Sequence, residues 1–261
     1  MKLALLTYNM AAQWDLDTLL ENASALGFEG VEFRTDRQHA HGVEVETTAA
    51  ERAQIKARCQ DAGIEIAGLS SGCQYDSPDE HELAANIQRT QEHLDLCAEL
   101  GTGGVKVFGN NLHVDEGIPQ EDTIKQIGTA LGECARYAEQ LGVKVRFEMH
   151  GNFQTPELCN ELLKLADSDG ICLIYNCNPA DVADGSIRQS YAAVAERVCH
   201  VHLHDLADPQ WPYLELVKLL VADGYDGWCS AELEDSEDRE RVLRFYVALW
   251  DAYLRIAQAE A

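Results

Sequence analysis

Eight short apolar or β-branched runs recur along the chain, each followed by a longer stretch whose apolar residues step by three and four, and this end-to-end alternation restricts the fold more than any other feature. The runs are residues 3–7, 30–34, 65–69, 104–108, 144–149, 172–176, 198–203 and 228–233. Helical patterns between them include 83–100, 124–141 and 214–220, and a last helix over 238–257 closes the series. Five of the helices end in glycine at Gly27, Gly63, Gly101, Gly142 and Gly224, the residue that most readily takes a left-handed turn into the next strand. Eight βα units in this length predict a single (β/α)8 barrel over residues 1–261. The competing doubly wound open sheet usually carries Gly-x-Gly-x-x-Gly after an early strand, and none stands here.

Charge narrows the partners. Twenty Lys and Arg against 45 Asp and Glu leave a formal charge of −25, which repels phosphate backbones and anionic membrane surfaces, so neither nucleic acid nor membrane is expected. No apolar run reaches the roughly 18 residues of a spanning helix, and residues 1–6 turn polar too soon for a signal peptide, so a cytoplasmic location is expected. The nine cysteines include no Cys-x-x-Cys pair, and Cys97, Cys134, Cys172 and Cys229 fall on apolar faces or strands; reduced, buried thiols are the expectation.

In a barrel of this kind the site forms where strands end, so polar residues at strand exits carry functional information. Seven of the nine histidines lie in or just after a strand run. The fifth run ends Glu148-Met149-His150, with Glu148 and His150 on one side because strand side chains alternate. The seventh reads His200-Val201-His202-Leu203-His204; Val201 and Leu203 suit the helix-facing layer, which turns the histidines inward. The eighth supplies Glu232 between Ala231 and Leu233. Two carboxylates and an imidazole converging on one mouth need a cation between them, and a divalent metal meets that need. Lys106 shares the inward face of the fourth run, where an unpaired lysine would be costly, and is a candidate substrate contact. Arg34 is read either as pairing near Glu32 or as gripping substrate.

These residues resemble the xylose isomerase-like barrel family of sugar isomerases, sugar epimerases and inosose dehydratases. The resemblance runs through Leu26-Gly27-Phe28-Glu29-Gly30-Val31-Glu32, Phe147-Glu148-Met149-His150-Gly151, Val201-His202-Leu203-His204-Asp205 and Gly224-Tyr225-Asp226-Gly227-Trp228. It implies one divalent cation held by a Glu, an Asp, a His and a second Glu at successive strand ends, the two Glu also moving protons. Glu148, His202 and Glu232 match three of these. Where the family has Asp at the sixth strand end this chain has Asn176, a neutral oxygen ligand, with Asn178, Asp181, His150 and His204 as alternatives. The segment around His39 and His41 resembles an uncharacterised branch of the family, and His204 stands where many relatives carry lysine.

The expected function is a metal-dependent isomerase or epimerase acting on a sugar or keto-sugar through an enediolate. Alternatives are a keto-sugar or keto-inositol dehydratase or lyase on the same metal site, or a barrel that only binds carbohydrate. Glu148 and Glu232 are the expected catalytic pair and Glu148, His202, Glu232 and Asn176 the metal ligands. Arg34, His41, Lys106, His150 and His204 are the expected substrate contacts. Oxygen-rich ligation with one imidazole favours Mn²⁺ or Mg²⁺, with Co²⁺ or Zn²⁺ as competitors. The expected partner is a small carbohydrate, with homo-oligomerisation left open.

Overall fold

The computed structural model describes residues 1–261. Eight strands, β1 (Lys2–Leu6), β2 (Gly30–Arg34), β3 (Glu65–Gln74), β4 (Gly104–Asn110), β5 (Lys144–Gly151), β6 (Ile171–Asn176), β7 (Val198–Leu203) and β8 (Trp228–Ala231), close into one parallel barrel in chain order. Eight helices alternate with them: α1 (Leu16–Leu26), α2 (Ala49–Asp61), α3 (Glu80–Leu100), α4 (Gln120–Leu141), α5 (Pro156–Ala166), α6 (Arg188–Ala192), α7 (Tyr213–Ala222) and α8 (Arg239–Glu260). The alternation read from sequence is therefore the fold. Gly101 and Gly142 end α3 and α4 at φ 78° and 70°, where a side chain would be strained. No helix is long and apolar enough to cross a membrane.

Strand boundaries differ from the sequence reading in two ways that shape the mouth. β3 and β4 run on to Gln74 and Asn110 because register shifts after Ser70 and Phe108 let polar residues continue the pairing. β8 stops at Ala231, leaving Glu232 just beyond the strand, its backbone N–H donating to the Leu203 carbonyl at 2.8 Å. A third correction concerns Cys172, expected as a free thiol. It is joined to Cys199, since neighbouring β6 and β7 bring their Cα atoms to 5.9 Å. The other seven cysteines are free and buried.

Strand alternation sorts the barrel into two environments. Val31, Phe33, Val105, Val107, Phe147, Leu173, Val201, Leu203 and Ala231 face outward into one apolar cluster shared with the helices. The inward set is polar: Glu32 and Arg34 on β2, Ser70 on β3, Lys106 on β4, Arg146 and Glu148 on β5, Asn176 on β6, His200 and His202 on β7, and Ser230 on β8, all buried. At the floor the Arg146 guanidinium lies against Gly68, Gly103 and Gly104, where any Cβ would press on its nitrogens. Glycine is required there because the cation fills the space a side chain would take.

Outside the barrel, α4 and α5 pack so closely that Gly132 and Gly170 cannot carry a side chain; a Cβ on Gly170 would collide with the Ala135 carbonyl. Gly170→Ala is expected to destabilise the protein by about 1–3 kcal/mol, as overpacking against fixed backbone does. Chemical denaturation of variant and wild type measures it, and equal midpoints would contradict the packing described.

Candidate active site

A continuous chain of polar contacts rises through the barrel, and each link fixes the next. Arginine nitrogens only donate, so Arg146 Nη1, which also donates to the Ala67 carbonyl, makes His200 Nδ1 an acceptor at 3.0 Å. His200 therefore carries its proton on Nε2 and donates it to Glu32 Oε2 at 2.8 Å. Burial holds His200 down at about 4, in keeping with a neutral ring. One layer higher, His202 Nε2 lies 3.2 Å from both Glu32 oxygens, while its Nδ1 lies 2.8 Å from Glu148 Oε1 and 3.4 Å from Glu232 Oε2. Burial opposes charge on His202, but the three surrounding carboxylates outweigh it and raise its pKa well above the usual histidine value. Lys106 Nζ completes the chain, 3.0 Å from Glu148 Oε2 and 4.2 Å over the Phe108 ring.

Both glutamates at the top are ionised. Burial would raise the Glu148 pKa, yet Lys106 and His202 pull it below the ordinary range. Glu232 is likewise lowered against burial, by His202 and His204. Both open onto a cavity of about 1120 Å³ at the C-terminal mouth, also lined by Tyr8, Arg34, Lys106, His150, Asn176 and His204. His202 forms the floor beneath, fully buried.

Three clusters have the donor atoms to hold a cation: Glu148/His202/Glu232, Glu32/His200/His202 and Asp36/Cys73/His93. Only the first fits. In the second, His200 presents a protonated Nε2 to Glu32, so it has no free lone pair on that side. In the third, His93 donates from Nδ1 to the Arg89 carbonyl at 2.8 Å and its Nε2 lone pair is met by the Thr35 hydroxyl at 2.9 Å, burial keeps the Cys73 thiol protonated, and Asp36 is held by Arg89 at 2.7 Å. In the first, Nδ1 of His202 carries a proton that a cation would displace, since Nε2–H alone serves Glu32, and it stands 2.8 and 3.4 Å from the two carboxylates, bracketing the roughly 3 Å that separates neighbouring ligands around a cation bound at about 2.1 Å. Glu32 then serves as the carboxylate behind the imidazole that orients it.

Most of the expected site residues come together. Glu148, Glu232, Asn176, Arg34, Lys106, His150 and His204 all line the cavity. His204 Nε2 donates to Asn176 Oδ1 at 2.9 Å, which fixes the amide oxygen on the His204 side of the cavity. Of the alternatives to Asn176, Asn178 donates from Nδ2 to the Met149 and Asn176 carbonyls while its side chain accepts from the Asp181 N–H, and Asp181 accepts from the Asn178 N–H and the Ser190 hydroxyl. His41 does not reach the cavity, which corrects its expected role: it is buried, Nδ1 accepting from the Val43 N–H and Nε2 donating to Thr7 Oγ1 at 3.1 Å. Burial depresses its pKa to about 3. Arg34 does not pair with Glu32; its Nη1 donates to the Ser70 carbonyl at 2.9 Å. Glu32 and Arg146 were not singled out from sequence, although the alternation Gly30-Val31-Glu32-Phe33-Arg34 carries the same inward signal that exposed the histidines.

The xylose isomerase-like TIM barrel family model matches residues 20–250. The fructoselysine 3-epimerase of Escherichia coli O157:H7 is 22% identical over 239 residues, covering 84% of this chain and 85% of that protein. Among solved structures, an L-ribulose 3-epimerase superposes with a TM-score of 0.82 at 18% identity, over 99% of this chain and 96% of that one. The IolI protein with a bound zinc atom superposes at 0.78 and 17% identity, over 97% and 98%.

Asp181 beside the site gives a pH signature. Burial pushes its pKa up to about 6, against hydrogen bonds from Ser190 and Asn178 that lower it. The folded protein thus holds this proton more tightly than the unfolded chain. The resulting stability is fully present below about pH 4 and is lost as pH rises through 6. Asp181→Asn keeps both hydrogen bonds, accepting from Asn178 and donating to Ser190, and is expected to melt above wild type at pH 7 but not at pH 4. A thermal shift difference that stays flat between those pH values would contradict the assignment.

Proposed function

Because the chain belongs to the xylose isomerase-like TIM barrel family, we propose that it is a sugar isomerase or epimerase that uses a divalent cation at Glu148, His202, Glu232 and Asn176. The observation that carries this reading is the pair of ionised carboxylates, Glu148 and Glu232, flanking one imidazole nitrogen at the floor of an open cavity. Three oxygen donors and one imidazole favour Mn²⁺ or Mg²⁺, and the zinc on the similar IolI protein keeps Zn²⁺ as the competitor. When bound, the cation supplies Lewis-acid polarisation of a substrate carbonyl and its neighbouring hydroxyl, which acidifies the C–H between them.

The protein's own groups do the rest. One of Glu148 and Glu232 takes the proton from carbon, giving an enediolate, and the other returns a proton to the opposite face for epimerisation or to the neighbouring carbon for isomerisation. Lys106 at 3.0 Å from Glu148 and His204 at 3.7 Å from Glu232 hold the two carboxylates in place, and the one that returns a proton takes it up through the open mouth before the acid step. Arg34, Lys106, His150 and His204 orient hydroxyls, and Phe108 backs His150 with ring centroids 5.4 Å apart. The sugar epimerases among the similar proteins support the carbohydrate class.

Glu148→Gln and Glu232→Gln keep an oxygen at the cation but remove the base, so each is expected to lower turnover of an accepted ketose by roughly 10² or more, with added Mn²⁺ giving no recovery. His202→Asn mainly weakens cation binding, and excess Mn²⁺ should restore part of its activity. Exchange of the ketose α-proton with D₂O, followed by NMR, reads all three; wild-type exchange in both glutamine variants would refute the mechanism. Asn176→Asp adds a charged oxygen at nearly constant volume and is expected to tighten Mn²⁺ binding, measured by calorimetry. An unchanged dissociation constant would remove Asn176 from the ligand set.

A further inference from the structure

Arg34 is the cation in this cavity that no carboxylate answers. It is only 4% exposed, its Nε is buried without a partner, its side chain makes one protein hydrogen bond, from Nη1 to the Ser70 carbonyl, and its guanidinium lies 5.8 Å from the Tyr8 ring centre. No Asp or Glu oxygen lies within 4.0 Å, whereas Lys106, the other buried cation of the cavity wall, holds Glu148 at 3.0 Å. The equally unpaired Arg146 is closed in at the barrel floor by glycines and His200. Arg34 instead lines the mouth, and Gly72 beside it leaves open the space where a Cβ would stand 3.5 Å from Nη2.

The next turn adds a second unanswered cation. Arg37 also lines the cavity and has no carboxylate within salt-bridge distance. Its loop is fixed on both sides: the Asp36 and Gln38 N–H groups donate to the Glu44 carboxylate at 2.7 and 3.0 Å, both residues at positive φ. Asp36 itself is paired to Arg89 at 2.7 Å and, like Glu148, acts on Arg34 only from beyond salt-bridge distance. Asp205, Glu234 and Asp235 also line the cavity, yet neither guanidinium is paired to a carboxylate, and two unpaired guanidinium groups on one ligand cavity suit an oxyanion.

Resting on the isomerase or epimerase reading above, we propose that the substrate is an anionic keto-sugar, its carboxylate or phosphate seated on Arg34 with Arg37 at the rim while its carbonyl end faces Glu148 and Glu232. Burying the Arg34 charge is then compensated by the substrate's own charge, whereas a neutral sugar offers it hydroxyls alone. A sugar acid and a sugar phosphate share this oxyanion chemistry.

The test measures kcat/KM of the Mn²⁺-loaded enzyme on a neutral ketohexose, the matching ketohexuronate and the matching ketohexose phosphate. The expected result is a preference of about 10- to 100-fold for one of the anionic substrates, the scale of a charged hydrogen bond. Which of the two wins assigns carboxylate or phosphate. The anionic-to-neutral ratio should fall at least about tenfold in Arg34→Gln, be largely kept in Arg34→Lys, and fall less in the exposed Arg37→Gln, a rim substitution that does not disturb the core. A wild-type ratio near one, or a ratio that Arg34→Gln leaves unchanged, overturns the proposal. Should no ketose of any charge turn over, the isomerase reading fails by itself. The seat is then read by calorimetry of D-gluconate and inorganic phosphate on the metal-free protein. Binding weakened at least about tenfold by Arg34→Gln upholds it, and no binding, or equal binding, ends it.

Discussion

The buried ladder Arg146, His200, Glu32, His202, Glu148 and Lys106 is the constraint around which the barrel interior is arranged. Removing charges from water is expensive, and an unpaired one would neutralise or pull the strands apart. Here each rung fixes the protonation of the next, beginning with a guanidinium that can only donate. The outcome at the top is a histidine whose Nε2 is committed to Glu32 and whose Nδ1 points at Glu148 and Glu232. The orientation of that one ring, on which the whole reading of the mouth depends, is thus decided two layers below it.

The fold was legible because its signals are local and repeated. Strand runs recur eight times with helical steps between them and five terminal glycines, and no single ambiguous segment can overturn the count. Glu148, His202 and Glu232 were legible for a related reason: each is bracketed by apolar residues that must face the helices, so its direction follows from period two. Glu32 carried the same bracket but was read only as a neighbour of Arg34, since a single acid in a short strand gives no cluster to place it in the site. His41 shows the opposite failure. It sits in a loop, where alternation says nothing about direction, and its hydrogen bonds to Thr7 and Val43 are set by tertiary packing.

The Cys172–Cys199 pairing was hidden for a third reason, the lateral order of strands. Twenty-seven residues apart in sequence, the two meet only because β6 and β7 are neighbours. The continuations of β3 and β4 past their register shifts are similar, because polar segments such as Ser70-Ser71-Gly72 join a sheet only when the adjacent strand offers its backbone. In each case the missing information is a contact between elements, which a reading along the chain does not contain.

The division of the barrel into an apolar outer ring and a charged interior separates what holds the molecule together from what it is used for. Cohesion comes from the layer between strands and helices, where Val201, Leu203, Phe147 and their neighbours are buried. The interior ladder contributes little net stability and demands exact complementarity. Such a protein has surplus robustness in one layer and fragility in the other. Interior residues can be exchanged in matched pairs without threatening the scaffold, whereas single exchanges strand a charge. New specificities on this barrel would then arise through coupled substitutions along one rung, leaving the outer ring as an unchanging chassis.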